Sequence, residues 1–556
     1  MANMINTSVS GLLAYQRAID VAAQNIANAN TDGYVRQRAE LSTQYAAADL
    51  YGTTIGGVKV DGIRREVNQY LLDQSRLAIT GSGRAEVMAT QAQRISGLLG
   101  SAMAGLDDAV QSLQLAFEAL SVEPASLRAR DALLDDIDSV INRFKVFDSR
   151  IQQFDVEVNG RLENEVIEAN QLLKQIGEIN EKVFRSSITV GVSPVNMLDE
   201  RDRLLDKLAE KFGFTANVEI NETITLKTID GRVLVKGAEV ATLSVEEGLY
   251  DPAESRLSLK AVGTLPTSDF TTGVSGGSLG GLIDARQQLI SATRNEAGRI
   301  AVALAGALNT QHAAGRDLGG SLGTPLLATG APDSFAASTN SAGSSGLTLS
   351  VTTSVPASSL TSADFVISRT STAWQVTQAD TGVVVTHSGD GTVGNPLMFA
   401  GLTVTVGGPG SAAAGDSFLV QATRPAIAGL ERLISDPKLI AAARGELPFG
   451  ASDNDNARKL AQVLTSGYLD GGKTSLIDLA ARLASRVGSQ ARSAQLALDV
   501  QRLAAEETSR ERSNLYGVNL DEEAANLMRF QQAYQASAAV IRVANELFDE
   551  LLSATR

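Results

Sequence analysis

The sequence predicts a mainly α-helical protein with inserted β domains, in which terminal helices pair as a coiled coil, a long helical rod follows, and an all-β domain points outward. Three observations lead there. Both termini carry residues in sustained steps of four and three, the spacing that keeps one stripe on one face of a supercoiled helix. Residues 127–184 hold a helical period for about 55 residues, a rod of roughly 80 Å at ~1.5 Å per residue. Two internal blocks, 214–262 and 335–424, drop to a period of two.

The N-terminal stripe runs through Ile5, Val9, Leu12, Gln16, Ile19, Ala23, Ile26 and Asn30. Its C-terminal counterpart is Leu520, Ala524, Leu527, Gln531, Tyr534, Ala538, Ile541, Asn545, Phe548 and Leu552. Each contains one Gln and one Asn, which weaken packing but penalise register slips. These two stripes are the candidate assembly seams. A lone helix with such a seam does not recover the backbone entropy lost on ordering. Both ends are therefore expected to be labile in the monomer and to order between copies, in preference to a coiled coil complete within one chain.

Inside the termini, helical periodicity covers 84–120 and 127–184, with Pro124 breaking the two apart. The longer stretch buries Ile137, Ile141, Phe144, Ile151, Phe154, Val158, Leu162, Val166, Leu173, Ile176 and Val183. Residues 197–212 form a further amphipathic helix with Leu205, Leu208 and Phe212 inward, and Asp199 and Arg203 one i,i+4 step apart on the wet side. From 214 to 262 Val218, Ile220, Ile224, Leu226, Ile229, Val233 and Val235 alternate with polar residues, and Asp230-Gly231 supplies a hairpin turn. Helix returns at 279–313. After a Gly/Ser/Pro-rich loop, strands are expected at 347–351, 365–368, 374–378, 383–387, 402–406 and 418–422, and helices from 426 to the end. The implied division is 1–33 plus 518–556 as an assembly domain, 34–334 plus 425–517 as the rod, and 335–424 as the inserted β domain.

Composition narrows function. The formal charge is −15 and the densest basic cluster, Gly62-Ile63-Arg64-Arg65, is too short to track a phosphate backbone, so neither nucleic acid nor membrane insertion is expected. The first basic side chain is Arg17, and polar Asn3, Asn6, Ser8 and Ser10 interrupt the apolar positions, which is wrong for a secretory signal. The absence of cysteine excludes disulfides, thiolate metal sites and cysteine nucleophiles. It fits either a compositional habit or a chain exported unfolded.

Several stretches resemble a known family. Ser10-Gly11-Leu12-Leu13-Ala14 and the run from Ala23 to Tyr34 (Ala23-Gln24-Asn25-Ile26-Ala27-Asn28-Ala29-Asn30-Thr31-Asp32-Gly33-Tyr34) resemble the N-terminal signature of flagellar rod, hook and hook-associated proteins. The family usually has Pro where Asp32 stands, and Asp-Gly also makes a tight turn. Tyr34-Val35-Arg36-Gln37, Pro124–Arg130, Leu198-Asp199-Glu200-Arg201-Asp202-Arg203-Leu204-Leu205, Gly276–Leu282, Ala303–Gly315, Gly517–Ala525 and Gln531–Ala538 are similar to the hook-associated members, in family order. The resemblance implies a structural subunit at the hook–filament junction: a tubular homo-oligomer with terminal helices lining an export channel and β domains outside. Its implied partners are the hook protein, hook-associated protein 3 and an export chaperone on the C-terminal helix. It also implies type III export to the cell exterior without a cleaved signal. Another axial protein, hook or distal rod, is the neighbouring alternative.

An enzyme reading has few footholds. Gly467-Tyr468-Leu469-Asp470-Gly471-Gly472-Lys473-Thr474 satisfies the phosphate-cradling P-loop pattern, but that chemistry needs a preceding strand, whereas residues 457–464 have helical spacing. His312 and His387 have no metal-ligand spacing, and Asp107-Asp108 and Asp135-Asp136 sit on helical faces where solvated carboxylates are the ordinary reading, against a lytic acid–base pair. Trp374 is expected in the core of the β domain. No catalytic residue, cofactor or metal is expected.

Overall fold

The computed structural model describes residues 2–554 apart from 32, 46–54, 102–104, 190–193, 264, 265, 354–358 and 449. Ten α-helices are seen among the described residues: α1 (Ala2–Ala27), α2 (Gln69–Leu99), α3 (Leu106–Val122), α4 (Leu127–Thr189), α5 (Val195–Lys211), α6 (Gly277–Asp284), α7 (Ala292–Ala313), α8 (Asp455–Thr465), α9 (Leu476–Tyr516) and α10 (Leu520–Ala554). A π-helical stretch, Ala285–Ser291, joins α6 to α7.

The rod is built on α4, whose 63 residues span roughly 95 Å. Its expected stripe is buried along its length, with Phe154 half-buried. Helices α3 and α5 pack along it, and α9 lies against α2 and α3. The turn around Pro124 separates α3 from α4, and buried Arg130 pins it by donating to Pro124 O (2.7 Å) and Ile440 O (2.6 Å). Periodicity over 84–120 does not make one helix. The chain breaks after Leu99, where Gly100 caps α2, and restarts beyond Gly105, because two glycines so close together favour an end over a continuation. At its other end α2 begins fifteen residues earlier than expected, where the Asn68 side chain accepts from Tyr70 N.

An antiparallel hairpin that periodicity did not reveal, β1 (Gln37–Tyr45) and β2 (Ile55–Arg65), leans on α1. Two small sheets cover residues 214–269 on the side of α4, and its Asn180 and Asn170 sew them on by accepting from Ile224 N and Leu243 N. The turn at Asp230-Gly231 forms with Gly231 at φ 91°, but Val218, Ile220 and Ile229 are exposed. Ile220 sits in the Glu219–Glu222 turn rather than on a strand face.

The inserted domain is all β, as expected. A five-stranded sheet (Asp333–Ala336, Ser417–Gln421, Phe365–Arg369, Trp374–Gln378, Val384–Val385, in spatial order) meets a three-stranded one (Thr348–Thr353, Leu402–Gly407, Leu397–Phe399). Phe365 packs edge-on against Phe399 between the sheets, and Trp374 is buried against Phe418. The expectation of helix from 426 onward fails until Asp455. Pro425, Gly429, Pro437 and Gly445 break the chain into 3-10 turns and two-residue strands that pair with 315–316 and 327–328, while Ile427, Leu430 and Ile440 fill the core.

Candidate assembly site

Helices α1 and α10 lie alongside each other, and the face they share is not the expected seam. On α1 the buried residues are Ser8, Gly11, Ala14, Ala18, Val21, Ala22 and Asn25, a strip of mostly small side chains. A Cβ on Gly11 would stand 3.2 Å from Ser537 Oγ, so the backbones approach closely there. Of the seam residues, Ile5, Leu12, Ile19 and Ile26 are half-buried, while Val9, Gln16, Ala23 and Asn30 are exposed. On α10 the buried residues are Glu523 and Ala544. Leu527, Ala538 and Ile541 are half-buried, and Leu520, Ala524, Gln531, Tyr534, Asn545 and Phe548 are exposed. Asp32 and the Leu552 side chain lie outside the described residues. The seam is thus brought onto adjoining helices but points largely away from their mutual contact.

A polar clasp fixes how the two helices meet. Asn25, on the last turn of α1, donates to Gln37 O (2.8 Å) and to Glu523 Oε2 (3.1 Å), and its Oδ1 accepts from Gln37 N and the Tyr34 hydroxyl. Glu523 also accepts from Arg36 Nε at 2.8 Å, and Arg36 reaches Glu522 at 2.7 Å. Burial, with Asp199 and Glu523 nearby, pushes the Tyr34 hydroxyl up to about 12, so it remains a donor. The Arg36 backbone N–H donates to Tyr516 O, and the Tyr516 hydroxyl exchanges hydrogen bonds with the backbone of Asn68. The ends of α1, α9 and α10 and the start of α2 therefore converge on one short segment.

Next to the clasp, the stretch 198–205 forms a hub. Asp199 does not pair with Arg203 on a wet face. It sits 2.7 Å from Arg65 of β2, off the hydrogen-bonding direction, while Arg203 pairs with Glu200. Burial outweighs Arg65 and lifts the Asp199 carboxyl to about 6. Asp202 faces Arg65 and Arg76, and Asp206 faces Arg76 and Arg512. The tertiary fold imposes this: the i,i+4 partner lost to an arginine from another element already held beside it.

The enzyme-like features take structural places. Gly467–Thr474 is a tight turn between α8 and α9, preceded by a helix, with Asp470 held by Arg299 at 2.7 Å. His312 is buried, and its Nε2 accepts from Ala441 N, so Nδ1 donates to Thr324 O. Burial keeps it below the usual histidine pKa and neutral. His387 lies 3.0 Å from Trp374 O. No group of three or more metal-capable side chains is found among the described residues, and among them no helix is long and apolar enough to cross a membrane.

The model of the flagellar hook-associated protein FlgK helical domain matches residues 92–327, and that of the flagellar hook-associated protein 1 D2-like domain matches 335–422. The flagella basal body rod protein model matches 5–34, and the C-terminal model of the rod FlgEFG proteins matches 512–554. Flagellar hook-associated protein 1 of Escherichia coli (strain K12) is 32% identical over 564 residues, covering 100% of each chain. The chain belongs to the flagellar hook-associated protein 1 family. Among other family members, that of Salmonella typhimurium is 31% identical, again over 100% of both chains, and that of Bacillus subtilis (strain 168) 24% over 99% of this chain and 97% of its own. The fold is similar to the flagellar hook junction protein FlgK from Burkholderia pseudomallei, with a TM-score of 0.72 at 20% identity, covering 79% of this chain and 99% of that one. Membership in this hook-associated family makes the chain a structural protein of the bacterial flagellum. The clasp residues Asn25, Tyr34, Arg36, Gln37 and Glu523 all lie in stretches whose resemblance was visible in the sequence. Their mutual contact, across 498 residues for Asn25 and Glu523, was not.

Proposed function

We propose that this chain joins hook to filament as a non-enzymatic adaptor that polymerises through its terminal helices. In this reading α1 and α10, residues 1–33 plus 518–556, form a coiled coil within each subunit. The exposed parts of the two seams then pack between copies in a tubular homo-oligomer. The rod, 34–334 plus 425–517, forms the wall and the 335–424 β domain the outside. The observation that carries it is the mismatch between the two faces: the clasp and the small-residue strip serve the chain itself, leaving Val9, Leu520 and Phe548 on the surface. Large exposed apolar side chains aligned on paired helices are what a protein–protein contact uses. Hook protein on one side and hook-associated protein 3 on the other would be its axial neighbours. Export through the flagellar type III apparatus without a cleaved signal, with a chaperone on α10, would keep these surfaces masked until use.

Surface substitutions change monomer stability by about 0.5 kcal/mol or less, which gives a clean test. Val9→Asp and Phe548→Ser should leave the circular dichroism and melting of the monomer unchanged while abolishing polymerisation and filament attachment. Polymerisation at the wild-type rate in both variants would sink the proposal.

A further inference from the structure

Helix α9 turns large apolar side chains toward water, where the outer face of a surface helix is ordinarily polar. Leu496, Val500 and Leu503 are 65%, 55% and 65% exposed. Their steps of four and three set them in one row, on the side of α9 opposite Val487, Ala491 and Leu498, which are buried. Beside this row, between α9, α2 and the π-helical stretch, runs a groove of two adjoining cavities of about 650 Å³ each, which share Gly81, Arg84 and Gln501. On α9 its lining is mostly short: Ser489, Ser493, Ala494, Ala497 and Ala504. Gly81 keeps the α2 side low, since a Cβ there would run into Gln501. The other edge of the α2–α9 pair is tied by Gln93 with Gln495 (2.6 Å) and Glu86 with Arg502 (3.4 Å).

The row and the groove lie about a quarter-turn apart on one helix, so they are complementary but cannot meet within one chain. A second copy lying parallel and displaced by about two helical turns brings them together. Leu496, Val500 and Leu503 then fall on its Ser489, Ser493 and Ala497, and Glu507 arrives over its Gln501 and Arg84. Charge agrees with this register. Glu507 continues the row, is exposed, and makes no ion pair among the described residues. The groove lining carries Arg84 and Arg486 against Asp284, and Arg84 is 49% exposed while holding Asp284 through Nε (2.6 Å). Such a contact joins different surfaces of successive copies, so it propagates around a ring or helix in place of closing a two-fold pair. We propose that the Leu496–Val500–Leu503 row seats in the α2–α9 groove of a second copy of this chain, a lateral contact of the rod separate from that of the terminal helices. This rests on the reading that copies of the chain assemble, and names a second surface through which they do so.

The chain has no cysteine, so introduced thiols report contacts without background. Full-length chains carrying Leu503→Cys are mixed with chains carrying Ala497→Cys under mild oxidation at high protein concentration. The mixture is run in assembling protein and again with Val9→Asp and Phe548→Ser added, which disables the terminal seams. Interchain disulfide should exceed that of a control mixture, Leu503→Cys with Glu86→Cys on the tied edge, by roughly fivefold or more. Two further variants act on one surface each. Leu496→Gln/Val500→Gln/Leu503→Gln removes the row, and Ala497→Trp fills the groove with the row intact. Both should leave the melting midpoint of the monomer unchanged and slow polymerisation about tenfold or more. No excess of disulfide over the control in either setting, or wild-type polymerisation in both of these variants, would overturn the proposal and leave the groove to a partner of another sequence. Excess disulfide with the terminal seams disabled, from a chain that never polymerises, would uphold this contact and sink the terminal-helix reading instead.

Discussion

Glu523 is the residue on which the terminal helices hinge. Its side chain is 4% exposed and receives both Asn25 and Arg36, so truncation leaves two donors short of an acceptor inside the fold. Glu523→Ala should cost about 1–3 kcal/mol, felt locally: α10 should detach from α1 while the rod melts as before. Near-ultraviolet signals of Tyr34, or a spin-label distance between α1 and α10, would report this. An unchanged distance would show that the small-residue strip suffices without the clasp. Single residues also show where a sequence misleads. Asp199 and Arg203 have ideal i,i+4 spacing, yet the fold gives Asp199 to Arg65, because a buried arginine from another element is a nearer counter-charge than a solvated one on the same helix.

For the elements, stability should follow burial. Along α4 large apolar side chains are fully buried, whereas on α10 Glu523 and Ala544 alone are buried among the described residues. Amide hydrogen exchange of the monomer should therefore be fast at about residues 1–30 and 518–556 and slow through α2, α4 and α7, with protection of both ends gained on polymerisation. Slow exchange at both ends of the monomer would mean that the terminal pair is complete in one chain, and the assembly mechanism would need rebuilding. Long helices were legible because dozens of residues repeat one period. Ends and short elements were not: the Gly100–Gly105 break, the β1–β2 hairpin and the irregular stretch 427–454 depend on a few glycines, prolines and caps whose effect is decided by what packs beside them.

The whole molecule is a rod with attachments, and the inserted β domain is held to it by a charged joint rather than a flexible tether. Arg424, at the exit of that domain, reaches Glu254 (2.5 Å) and Asp364 (2.8 Å) and donates to Asn295 (3.1 Å) on α7. Burial pushes the Asp364 carboxyl up and Arg424 opposes it. Arg424→Met would leave that carboxylate buried and unpaired, at a cost of about 3–5 kcal/mol. Limited proteolysis near 335 and 423 should then accelerate with the rod intact, and adding Asp364→Asn should restore part of the resistance. Cleavage no faster than in the wild type would mean that the joint does not set the domain's attachment. By itself the sequence determined the main helical and β blocks and the family, because periodicity and local motifs are properties of neighbouring residues. Only the tertiary structure decided which face of each terminal helix turns inward, that Asn25 meets Glu523, and that Asp206 meets Arg512. Those outcomes depend on groups hundreds of residues apart competing for the same buried space, and chain spacing carries no record of that competition.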